Sequence, residues 1–118
     1  MNTGQQKLKS ILLTDEIFTQ IINSSLSDIE YIYLSANPHL TQSQIDYLFS
    51  KNIDSVNVNL LRNANCSKTK IETYNNLDDK IYNIAIAHNK TISQDIIAKL
   101  IAFNDADVNY SLKFNNLI

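Results

Sequence analysis

Apolar residues recur three and four positions apart along most of the chain, as in Ile45, Leu48 and Phe49, or Val56, Leu60 and Leu61. That spacing gathers them on one face of an α-helix; a half-buried strand would instead alternate apolar and polar residues. A longer period is laid over the helical one. Asn37, Asn63, Asn89 and Asn115 stand 26 residues apart, and unrelated residue types keep the same register around them. Three before each Asn is an aliphatic residue (Leu34, Leu60, Ile86, Leu112), and three after it is another apolar one (Leu40, Cys66, Ile92, Ile118). A hydroxyl column follows, Thr41, Ser67 and Ser93, and then Ile45, Ile71 and Ile97, and Leu48, Tyr74 and Leu100. Phe18 and Ile21 are the first-repeat equivalents, and Thr14 joins the hydroxyl column if the first repeat carries one extra residue near Asn23 to Asp28.

Each repeat therefore reads as a hairpin of two amphipathic helices. The Thr/Ser column sits where a side-chain oxygen accepts the free N–H groups of a first helical turn, and Thr41 with Gln44 has capping-box spacing. Asn52, Asp78 and Asn104 form a further column at the turn between the two helices. Gly4 is the only glycine, so Asn and Asp must supply the left-handed backbone such turns need. The four asparagines at the ends of the repeats read mainly as turn and cap chemistry on the same grounds. The pattern predicts a leading helix near residues 5–12 and hairpins at 15–37, 42–63, 68–89 and 94–115. The chain is then one domain, 1–118, of four repeats (13–39, 40–65, 66–91 and 92–118), all-α and built as a short α-solenoid. Helices of about ten residues are marginal alone, so each must be held by packing on its neighbours.

The stretch Asn37-Pro38-x-Leu40-Thr41, with Ile45, Leu48, Asp54, Val56, Leu60 and Asn63 beyond it, resembles the leucine-rich repeat variant, an α-solenoid related in shape to HEAT repeats. The likeness spans residues 13–118. It implies a right-handed superhelix and an interaction role. The family often has Arg six residues before the repeat Asn; here that column reads Tyr31, Asn57, Asn83 and Asn109. Some members carry an iron–sulfur cluster on an added cysteine-rich segment, but the one thiolate of this chain cannot hold a cluster.

Composition narrows the picture further. At 118 residues, 44% hydrophobic and 19% charged, the chain is long enough to bury a core without disulfides. No apolar run approaches the ~20 residues that span a bilayer. Lys7 and Lys9 before Ile11, Leu12 and Leu13 faintly suggest a signal peptide, but the run ends at Thr14-Asp15-Glu16, so a cytoplasmic protein is expected. Cys66 is the only cysteine and occupies a core column, where a thiol is a small inert hydrophobe. A net charge of −2 argues against a nucleic-acid backbone as the main target.

No residue set has catalytic or metal-binding spacing, and no cofactor is expected. His39 and His88 occupy different places in their repeats, neither with a second His or a Cys at metal-ligand spacing. Asp15, Glu16, Asp28, Asp54, Asp78, Asp79, Asp95 and Asp105 fall at predicted helix starts, where a carboxylate complements the helix dipole. There is no glycine-rich phosphate loop and no nucleophile elbow. The reading that follows is a non-enzymatic protein–protein interaction module of adaptor, inhibitor or immunity type. Its candidate surface is Asn57, Asn83 and Asn109, three amides on successive second helices, with the lone Arg62. The same asparagines could equally form an inter-repeat hydrogen-bond ladder. A second candidate interface is the end face, Tyr110, Leu112, Phe114, Leu117 and Ile118, expected to meet a protein partner or a second copy of the chain. The alternative is a small helical-repeat nucleic-acid binder using Lys68, Lys70, Lys90 and Lys99.

Overall fold

The computed structural model describes residues 3–118, with side chains from residue 6 onward. Among them are nine α-helices and no strand: α1 (Thr3–Leu8), α2 (Asp15–Ile22), α3 (Asp28–Ser35), α4 (Gln42–Phe49), α5 (Asp54–Leu61), α6 (Lys68–Asn75), α7 (Lys80–Ala87), α8 (Gln94–Phe103) and α9 (Ala106–Phe114). The expected hairpins are α2–α3, α4–α5, α6–α7 and α8–α9, while the leading helix starts and stops earlier than the 5–12 predicted. The chain forms two compact units, one ending at Leu60 and the other running Leu61–Ile118. In the first, α3 packs on α1 and on α4; in the second, α6, α7, α8 and α9 pack mutually, α7 against all three others.

Local chemistry explains why each helix begins where it does. Thr14, Thr41, Ser67 and Ser93 each adopt an extended backbone and accept a hydrogen bond from the N–H three residues on, satisfying a donor that the first turn would otherwise leave open. Thr41 and Gln44 form the predicted capping box, and Ser27 with Glu30 forms a second. Asp79 and Asp105 cap α7 and α9 through their carboxylates.

The hairpin turns depend on a left-handed residue. Asn52, Asp78 and Asn104 have φ of 57°, 53° and 59°, and Ser25 has 60°. Ser25 precedes Asn52 by 27 residues whereas α3 and α5 start 26 apart, so the extra residue of the first repeat lies between Ser25 and Asp28. Asn and Asp tolerate this conformation because their short polar side chains bond locally; a β-branched side chain would collide with the backbone.

The core follows the register. Leu34, Leu60, Ile86 and Leu112, one from each second helix, have no exposed surface at all. Ile45, Ile71 and Ile97, with Phe18, are buried on the first helices, and Leu40, Cys66 and Ile92 close the space before each new hairpin.

The asparagines 26 apart do more than end helices. Asn37 donates from Nδ2 to Leu8 O (2.9 Å) and Ile11 O (2.8 Å) within the first unit. Asn89 does the same to Leu61 O (2.9 Å) and Asn63 O (3.0 Å) within the second. Asn89 thus satisfies carbonyls left open at the end of the preceding repeat, and Asn37 does so for the end of α1 and the segment after it. The oxygen is used as well: Oδ1 of Asn37, Asn63 and Asn89 accepts from the N–H of His39, Asn65 and Thr91 at 2.8, 2.8 and 2.9 Å, closing the turn that leads into the next hairpin.

Replacing Asn89 with Ala should therefore destabilise the protein by about 2–4 kcal/mol, because buried carbonyls lose their donors. Urea denaturation would show it, with exposed Asn76→Ala within about 0.5 kcal/mol of wild type. Asn104→Gly should be neutral or mildly stabilising, and Asn104→Val should cost about 1–2 kcal/mol in the same assay.

Candidate interaction surface

The most distinctive exposed surface is on α9, in the second unit. Asp105 fixes the start of this helix by accepting from the N–H groups of Asp107 (2.9 Å) and Val108 (3.1 Å). Lys80, at the start of α7, reaches both Asp107 (2.7 Å) and Asp105 (3.5 Å). The backbone N–H of Val108 leads the causes that hold the Asp105 carboxyl below its ordinary pKa, and the hydrogen bond to Asp107 leads those that raise Lys80. Lys80 and Asp107 are solvent-exposed and Asp105 only partly covered, so they orient the helix end more than they stabilise it.

Val108, Ser111 and Leu112 are buried, which turns the opposite face of α9 outward. That face carries Tyr110 and Phe114, each 68% exposed. Four residues apart, they lie one above the other on the helix, with ring centroids 6.2 Å apart and planes 24° from parallel. Ile118 beyond them is also exposed, and Leu117 is half-buried. Of the expected end-face set, Tyr110, Phe114 and Ile118 are surface residues. Leu112 is not: it belongs to the fully buried aliphatic column, because it shares its register with Leu34, Leu60 and Ile86.

The amide surface expected from the sequence is a correction of the same kind. Asn83 is fully buried and Asn57 is 4% exposed, so these two cannot form an outward ridge; Asn109 is half-buried and Arg62 exposed. Nor is the inter-repeat ladder what Asn83 makes. Its Oδ1 accepts from Nδ2 of Asn75, 3.1 Å away on the other helix of the same hairpin. Asn75 was not singled out by the sequence, although it is the one polar residue in a column otherwise filled by Phe49 and Ile101. The apolar position just after Asn83, Ile84, was likewise missed. It is half-buried and stands 26 residues before Tyr110, so the register itself could have pointed to it.

The remaining candidates are dispersed. Lys68 pairs with Glu72 at 3.8 Å, Lys70 is half-buried and Lys90 exposed. Lys99 lines a hollow of about 280 Å³ together with Asn75, Asn76, Asp78, Ala102 and Phe103, so acidic groups accompany two of these cations. Cys66 is buried, with its Sγ 3.8 Å from Ser67 O, and borders a smaller cavity of about 190 Å³ walled by Ile71, Ile92 and Ile96. Among the described residues no three His, Cys, Asp or Glu side chains come together as a metal site, and no helix is long and apolar enough to cross a membrane. None of the protein families, curated proteins or solved structures compared with the chain matches it. The all-helical, repeat-patterned architecture therefore stands on the chain's own register and hydrogen bonds.

The Asn75–Asn83 pair yields a double-mutant test. Asn83→Leu alone should destabilise by about 1–3 kcal/mol, because it strands the buried Asn75 amide. Adding Asn75→Leu should recover much of the loss, since replacing both partners removes the orphaned group; non-additive urea midpoints would reveal the coupling.

Proposed function

We propose that this chain is a non-enzymatic protein-binding module of adaptor, inhibitor or immunity type, with Tyr110 and Phe114 on α9 as its contact residues. The scaffold we favour is a short α-solenoid like the leucine-rich repeat variant, on the strength of the 26-residue register. The carrying observation is the stacked, exposed aromatic pair on a helix whose other face is tightly packed. Large aromatic side chains lose little conformational freedom when covered, which makes them the usual anchors of protein interfaces. A rigid helix beneath them keeps that cost low. Leaving two such rings in water gives up the burial that the rest of α9 achieves, and a partner surface would recover it.

Tyr110→Ser combined with Phe114→Ser should leave the stability within about 1 kcal/mol of wild type, because both rings are already solvated. Leu112→Ala, one turn away on the buried face, should cost about 2–5 kcal/mol. The double variant should at the same time lose the protein captured by the wild-type chain from its native host. Retention of that protein by the double variant would overturn the choice of this face. A second copy of the chain is the first partner to test: light scattering across a concentration range should show whether self-association occurs and whether the double variant removes it.

A further inference from the structure

Three rungs of the asparagine register can be compared atom by atom. At Asn37 and Asn89 the two amide protons meet two main-chain carbonyls, and no ordinary change of pH alters those acceptors. Asn115 departs from this arrangement. Its Nδ2 lies 2.8 Å from Ser111 O, 2.9 Å from His88 Nδ1 and 3.3 Å from Ala87 O. A titratable ring nitrogen has taken a place that carbonyl oxygens hold in the other rungs.

The two carbonyls decide which way the amide faces. Turning it over would set Oδ1 against Ser111 O and Ala87 O, three acceptors without a proton between them. Nδ2 is therefore the donor; its two protons go to the nearer acceptors, Ser111 O and His88 Nδ1, with Ala87 O at 3.3 Å a weaker shared contact, so Nδ1 accepts and the imidazole is neutral with its proton on Nε2. A second proton would place an N–H on Nδ1 directly facing the amide N–H, turning a hydrogen bond into a repulsive contact. His88 is the C-cap of α7 and Asn115 the C-cap of α9, so this contact joins two helix ends.

The surroundings of His88 act in the same direction. The helices packed on α7 carry Lys68, Lys70 and Glu72 on α6, Asp95 and Lys99 on α8, and Asp107 and Lys113 on α9, with Lys80 on α7 itself. Burial, and then the positive charge of Arg62 just beyond α5, hold the imidazole below its ordinary pKa of 6.5. The partial negative charge of the α7 C-terminus acts the other way. Because the unfolded chain then takes up the proton first, stability contributed by neutral His88 is complete above about pH 6.5 and declines as the pH falls toward the lower native value.

We propose that His88 makes the last rung a proton-operated latch: neutral, it holds Asn115 and the final turn of α9; protonated, it lets that turn go. The turn it governs is a distinct one. Asn116 is left-handed at φ 60°, and Leu117 N donates to Leu112 O at 2.9 Å while Asn116 N donates to Lys113 O at 3.0 Å, a Schellman closure. Phe114 lies within it, so the latch would also regulate partner binding. That consequence rests on the function proposed above; the latch itself does not.

A titration of the full chain by NMR, from about pH 8 to about pH 5, tests it. Neutral His88 should carry its proton on Nε2 and should titrate below the ordinary histidine value of 6.5. The Asn115 side-chain amide should shift with the His88 midpoint. Hydrogen exchange at Asn116 and Leu117, corrected for its intrinsic pH dependence, should rise by about an order of magnitude as His88 charges. In His88→Gln, which keeps an acceptor but cannot titrate, the rise should vanish. A proton on Nδ1 at high pH, a His88 midpoint at or above 6.5, or equal exchange in both proteins would overturn the latch; the first two need no variant. A working latch with pH-independent partner capture would overturn only the choice of binding face.

Discussion

The architecture depends on how a chain of short helices closes the carbonyls at the end of one hairpin while starting the next. A helix of eight residues leaves nearly as many backbone groups open at its ends as it pairs internally, and water cannot reach those that face a packed neighbour. Asparagine answers both needs at once. Its Nδ2 takes two carbonyls from the preceding helix end, as at Asn37 and Asn89, and its Oδ1 takes the N–H two residues on, which turns the chain into the next helix. Neither aspartate nor serine offers two donors and an acceptor from one short side chain. That requirement, rather than a surface role, accounts for asparagine at this position.

With the ends closed, the core needs only aliphatic side chains at fixed places. The column Leu34, Leu60, Ile86 and Leu112 has no exposed surface, and the first helices contribute Ile45, Ile71 and Ile97. Two kinds of contact take up polar groups here, one within a hairpin and one between hairpins. Asn75 and Asn83 pair across their own hairpin, and in the first unit Asn59 donates to Ile32 O and Ser35 Oγ at 3.2 and 3.0 Å. Tyr31 and Tyr47 lie nearer the surface, where a cation covers them: Lys51 Nζ sits 4.8 Å from the Tyr47 ring and 5.4 Å from that of Tyr31. A hydrogen bond with Tyr47, and then the same two rings, keep this lysine above its ordinary pKa despite the opposing effect of burial.

The last repeat is where these devices change and where the functional reading concentrates. Leu117 N donates to Leu112 O rather than to an asparagine oxygen, and His88 enters the rung that carbonyls fill elsewhere. On the outer side of the same helix Tyr110 and Phe114 stack in water. An arrangement kept at Asn37 and Asn89 and relaxed at Asn115 is a local inconsistency of the kind that functional or strained sites carry.

How far this was legible from the sequence follows from the range of each interaction. The helical period, the hydroxyl caps Thr41, Ser67 and Ser93, the left-handed turns at Asn52, Asp78 and Asn104, and the buried aliphatic column are all decided by residues within one or two turns of each other, so the sequence by itself determined them. Which face of a helix points inward at a given residue depends on what packs against it. The 26-residue period could align Asn57, Asn83 and Asn109 but could not say that the first two are interior, nor that Tyr110 and Phe114 are outside. Only the tertiary structure brought Asn75 to Asn83 and His88 to Asn115, because a hydrogen bond depends on distance and direction between side chains on different helices, and spacing along the chain specifies neither.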